Sequence, residues 1–192
     1  MALSPIFAFA ERIVDEQSAL DPNLATGRGV PGYDHLLTDF SPVGFQQRAD
    51  HTRAALAELE GLPVTNDDDR LAKEIISERF RTSLAAFDAG EWARALRALA
   101  APANNLRSTF DLMPRNTAEA WENIAARMHG VPAALDQLRE TYEYGRQSGL
   151  VAARRQALVS ADQAATWAES RWFDGLADEA SANDAVSAPL AE

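Results

Sequence analysis

From its first ten residues to Trp172, the apolar residues of this chain recur three and four positions apart, between local helix start and stop signals. Runs that alternate apolar and polar positions with β-branched residues, the mark of half-buried strands, do not occur. The spacing therefore predicts an all-α fold, a multi-helix bundle.

Ser4-Pro5 places an N-cap before a first-turn proline and predicts a first helix to about Leu20, with Phe7, Phe9, Ile13 and Val14 on its buried face. Asp21 to Phe40 holds Pro22, Pro31, Gly27, Gly29 and Gly32, too many breakers for a regular helix. This stretch reads as a long ordered loop between the first two helices, with Leu20, Leu24, Val30, Tyr33, Leu36, Leu37 and Phe40 available to pack it down. Ser41-Pro42 repeats the start signal for a helix ending at Gly61. Asn66 to Asp69 supplies acidic first-turn residues to the next helix, whose stripe reads Leu71, Ile75, Phe80, Leu84 and Phe87.

Pro102 closes an alanine-rich segment from Glu91, and Asn104 to Met113 predicts a brief helix. Asn116 and Glu119 have capping-box spacing for a helix that Gly130 ends; the next runs from Pro132 to Gly149, and a last one from Arg154 to Trp172. The expected organisation is one helical domain over 1–180 and a weakly ordered acidic tail over 181–192.

A formal charge of -11 repels phosphate backbones and anionic headgroups, so neither nucleic acid nor a membrane surface is an expected partner. No apolar stretch reaches the roughly 18 residues of a span. The N-terminus lacks a basic segment before its apolar residues, and the expected localisation is cytoplasmic. Without cysteine there is no thiolate nucleophile and no cysteine-ligated metal.

Four residues after His35, His51 and His129 stand Asp39, Ala55 and Ala133, so the HExxH zinc signature is missing, and no Glu-x-x-His pair precedes them. Serine-elbow, phosphate-loop and dinucleotide patterns are missing as well. Two places stand out. Gly29-Val30-Pro31-Gly32-Tyr33-Asp34 either presents a phenol and a carboxylate to a ligand or fastens its own loop through local hydrogen bonds. In Phe110-Asp111-Leu112-Met113-Pro114-Arg115, Asp111 and Arg115 form either a local ion pair at a helix end or a polar cleft lining.

Leu20 to Thr26, Gly32-Tyr33-Asp34, Leu37 to Pro42, Phe110 to Arg115, Trp121 to Met128 and Val131-Pro132, continuing through Gly149-Leu150-Val151 and Ala153 to Gln156, resemble the N-terminal part of the bacterial domain-of-unknown-function 885 family. The resemblance implies longer, largely helical proteins similar to gluzincin zinc metallopeptidases, with an HExxH helix and a further glutamate ligand in their C-terminal part. This chain is expected to stop before that part, with no cofactor of its own and zinc in the complete family member. The expected role is a non-catalytic helical region packing against, and lining the cleft of, the catalytic part, with Tyr33, Asp34, Asp111 and Arg115 as substrate-binding residues. The expected partners are that catalytic portion or a second copy of the chain, with a peptide-like substrate only in the complete protein. The alternative is a free-standing helical protein-interaction domain.

Overall fold

A computed structural model describes residues 3–182, so residues 183–192 of the expected tail lie outside the described residues. Described residues form eight α-helices and one short 3-10 turn, with no strand among them. The helices are α1 (Pro5–Leu20), α2 (Pro22–Arg28), α3 (Pro42–Gly61), α4 (Asp67–Asp88), α5 (Pro102–Leu112), α6 (Ala118–Gln147), α7 (Arg154–Glu169) and α8 (Trp172–Ser181), with the 3-10 turn at Glu91–Arg94.

Starts read from caps are where the sequence puts them. Ser4 accepts from the Phe7 amide, Ser41 from that of Gly44 and Asn66 from that of Asp69, each a helix amide that would otherwise go unpaired. The faces differ from the expected ones. In α1 the buried stripe is Ile6, Phe9 and Ile13, while Phe7 and Val14 are exposed. In α4 it is Ala72, Ile76 and Phe80, while Leu71 and Ile75 face outward. Both stripes keep helical spacing: Phe9, Ile13 and Phe80 are buried as expected, while Phe7, Val14, Leu71 and Ile75 lie beside the seam, because apolar side chains flank it on both sides.

Four boundaries also differ. The expected loop from Asp21 to Phe40 begins with a helix, because its breakers sit at helix ends: Pro22 occupies the first turn behind an Asp21 cap, and Gly29 closes the C-terminus at φ 71°. The ordered connection is residues 29–41. Pro102 opens α5 rather than closing the segment before it. Thr117, not Asn116, caps α6, which runs 30 residues, about 45 Å, through Gly130 and Pro132. Its buried Ile124, Val131, Ala134 and Leu138 hold the two expected pieces as one rod against a proline cost of about 3 kcal/mol. The last expected helix is two, broken at Arg171 with φ 50°, which turns Trp172, Phe173 and Leu176 onto Phe110.

Two cores result. Ile6, Phe9, Ile13, Ala55, Leu59 and Phe80 join α1, α3 and α4. Phe40, Leu106, Phe110, Trp121, Ile124, Leu138 and Leu176 join the end of the 29–41 connection, α5, α6 and α8. Helix α2 packs against both α1 and α5, and α3 against α6, which ties the cores together. Full burial of a side chain such as Phe110 contributes about 1.5–3 kcal/mol.

Candidate functional site

Polar contacts at Thr38 and Phe40 fix the far end of the 29–41 connection. Asn23 and Thr38 bond reciprocally: the Asn23 amide donates to Thr38 Oγ1 at 3.1 Å and the Thr38 amide to Asn23 Oδ1 at 2.9 Å. Thr38 Oγ1 donates to Asp21 Oδ1 at 2.6 Å, and Asn23 Nδ2 to Thr109 Oγ1 of α5 at 3.2 Å. Farther along, the Phe40 amide donates to Gln137 and its carbonyl accepts from Thr141, both on α6.

Ahead of these anchors the chain wraps the guanidinium of Arg127, a fully buried residue of α6. Nε donates to the Leu36 carbonyl at 2.8 Å, Nη2 to the Tyr33 carbonyl at 3.0 Å and Nη1 to Thr26 Oγ1 at 3.0 Å. Thr26 Oγ1 donates onward to Asp34 Oδ1 at 2.6 Å. Burial pushes the Arg127 pKa down to about 10 while the Asp34 charge opposes it, so the side chain remains cationic at neutral pH.

Of the two readings left open for Gly29 to Asp34, the contacts fit fastening of the loop: the Tyr33 hydroxyl donates to the Asp15 carbonyl at 3.3 Å, and Asp34 takes part in the Thr26–Arg127 network. Asp34 also borders a cavity of about 180 Å³ walled by Met113, Pro114, Thr117 and Asn123. The fold thus brings one candidate carboxylate beside the stretch that joins α5 to α6. The other two candidates flank that stretch. Asp111 accepts from Arg107 at 2.9 Å one turn earlier, and Arg115 donates to Glu179 of α8 at 2.7 Å and to the Phe110 carbonyl at 3.2 Å. The Arg115 carbonyl in turn accepts from Trp121 Nε1, so this segment locks α5, α6 and α8 at one corner.

Arg127 is the residue that sequence reasoning did not single out. Its signal was an arginine on the Trp121, Ile124, Met128 face of a helix, a charge among apolar neighbours that must find partners when buried. A second concavity, of about 350 Å³, opens between α1, α2, α3 and α4; none of the four candidate residues lines it.

Among the described residues no group of three or more His, Asp or Glu side chains is placed to hold a metal ion. No helix there is long and apolar enough to cross a membrane. Fold and site define a helical bundle organised around a buried arginine and the connection it clasps. A family model described as a bacterial protein of unknown function, DUF885, matches residues 22–192, and the chain belongs to that family. A search of curated proteins finds no match.

Proposed function

We propose that this chain is the non-catalytic N-terminal helical region of a zinc metallopeptidase-like hydrolase. In this reading it packs against a catalytic portion that supplies the zinc ligands, and it contributes one wall of the cleft. The observation behind the proposal is α7. This helix of 16 residues contributes no buried residue. It is tethered through polar side chains on one face, two turns apart: the Ala98 amide donates to Gln156 at 2.9 Å, and Gln163 donates to the Ala98 carbonyl at 3.0 Å.

Apolar surface surrounds that tether. Leu99, Val151 and Leu158 are 81%, 60% and 50% exposed. A separate apolar groove is walled by Ala103, Leu135, Leu138 and Tyr142. Surface of this kind favours a protein partner. Support for a peptide wall comes from Asp34, which lines the cavity beside α6; Tyr33, Asp111 and Arg115, outside that lining, are the other proposed substrate contacts.

The test is light scattering on the purified chain together with reconstitution against a separately expressed C-terminal portion of a complete DUF885 protein. Expected is concentration-dependent self-association of the chain alone, relieved by Leu99→Ser with Leu158→Ser, and a stoichiometric complex with the C-terminal portion that those substitutions weaken. A monomer at every concentration that ignores the C-terminal portion would overturn the proposal and leave the free-standing interaction domain. A complex whose peptide hydrolysis is unchanged by alanine at Tyr33, Asp34, Asp111 and Arg115 would remove the cleft-wall assignment.

A further inference from the structure

The 350 Å³ concavity between α1, α2, α3 and α4 falls in the size range of small-ligand pockets, and its lining is of two kinds. One wall is aromatic. Trp92 stands between Phe45 and Phe87, with ring centroids 5.2 and 5.6 Å away, and Tyr144 backs it at 5.2 Å. Around that wall stand Arg28, Arg48 and Arg79.

These three arginines are under-used. Arg48 lies over the Phe45 ring at 4.6 Å and gives one N–H to the Asp39 carbonyl at 2.7 Å, which leaves most of its five donors without a protein acceptor. Arg28 has a single contact at the limit of hydrogen bonding, 3.5 Å to Gln17. Arg79 has no hydrogen bond, ion pair or ring contact among the described residues. In a chain of net charge -11, where most arginines pair with a neighbouring acid, three loosely engaged guanidiniums around one opening are out of pattern.

The acids that share the cleft are committed elsewhere. Asp21 caps α2 and accepts from Thr38, and Glu91 is bonded by Arg94. His51 is paired with Glu16 at 2.8 Å. Among the lining residues three guanidiniums face two committed carboxylates, with Asp39 a third carboxylate acting on Arg48, a balance that suits a monoanion and disfavours a phosphate dianion. The aromatic wall calls for an apolar group on the same molecule. Desolvation of Arg48 lowers its pKa against the pull of Asp21 and Asp39, and an incoming anion would compensate that desolvation.

We propose that this cleft is a binding site for a carboxylate borne on an aromatic or large apolar group, the carboxylate held by Arg48 and Arg79 and the apolar group resting against the wall formed by Phe45, Phe87 and Trp92. The C-terminal residue of a peptide has this chemistry, and so does a free aromatic or acyl amino acid. The site stands apart from Asp34 and from the α7 surface and is independent of the function proposed above.

The test is titration of the chain with N-acetyl-L-phenylalanine, its uncharged amide and inorganic phosphate. Binding is followed by the indole signal of Trp92 in proton–nitrogen correlation spectra, assigned with Trp92→Phe. The acid should saturate with a Kd of the order of a millimolar, the amide should bind at least tenfold more weakly, and phosphate should bind more weakly than the acid. Arg48→Gln and Arg79→Gln should each weaken the acid by about fivefold or more. Because Arg79 is exposed and unpartnered, its variant should melt with the parent and keeps the test valid if Arg48→Gln fails to fold. Equal affinity for acid and amide, tighter binding of phosphate, unchanged affinity in Arg79→Gln, or no saturable shift would each overturn the proposal.

Discussion

Replacing Arg127 by methionine asks how much of the fold rests on one guanidinium. Methionine fills similar volume and avoids the cost of burying a charge, which by itself favours the variant. Against this, the Leu36 and Tyr33 carbonyls lose their donors, Thr26 loses its own, and Asp34 is left without its opposing charge. A buried acceptor left unpaired costs about 1–3 kcal/mol, and three acceptors lose a donor here. The stranded acceptors outweigh the saved desolvation, and the net expectation is a loss of about 3–5 kcal/mol. With a urea slope of about 2 kcal/mol/M, the midpoint falls by about 1.5–2.5 M. Urea titration by circular dichroism reads this directly. Hydrogen exchange should show the amides of residues 29–36 opening first, since Asn23, Gln137 and Thr141 still hold the far end. A loss under about 1 kcal/mol, or uniform exchange along the connection, would refute the reasoning.

Three further outcomes follow from single contacts. Hydrogen bonds from Ser4 and from Thr65 hold the Asp69 carboxyl below its ordinary 3.8, so its contribution is complete above that value and disappears as pH falls through the lower folded value; Ser4→Ala should flatten this part of a stability-against-pH curve below about pH 4. A Cβ on Gly145 would stand 2.2 Å from the Ala93 carbonyl oxygen, so Gly145→Ala should cost about 1–3 kcal/mol in a thermal melt. Pro132 is exposed in the interior of α6, and Pro132→Ala, by restoring a helix amide, should raise stability by about 1–3 kcal/mol; a lowered melting temperature would contradict the continuous helix.

What could be read from sequence follows the range of the interaction concerned. Ser4, Ser41 and Asn66 announce their helices because a cap bonds to an amide three residues on, wholly within the local sequence. The joining of two expected helices through Pro132 was not legible, because it depends on Val131, Ala134 and Leu138 entering one core with Phe40, Leu106, Phe110 and Leu176, distant in sequence. The turn at Arg171 has the same origin, a pull exerted by Phe110 from 61 residues away in the chain. Proline and glycine misled at Pro22 and Gly29 for a different reason: as composition they break helices, whereas at the first turn and just past the last they specify one.

At the candidate site the same distinction separates Tyr33 and Asp34 from Arg127. The turn residues around Tyr33 mark a shaped loop on their own, but the cation that shapes it lies 94 residues beyond Tyr33. Once both are in place, the segments that resemble the DUF885 family prove to be physically continuous. Thr26 and the 32–40 stretch close on Arg127, and Asn23 reaches Thr109 immediately before the Phe110 to Arg115 segment. In this network the guanidinium is engaged at all three of its nitrogens, while Asp34 accepts one hydrogen bond, from Thr26. What the network does is hold a connection of 13 residues in one conformation against α6, with Asp34 facing a cavity. Under the proposed function this connection is the wall that a peptide meets, so the same substitution, Arg127→Met, should impair a reconstituted hydrolase even though Arg127 is buried from any substrate.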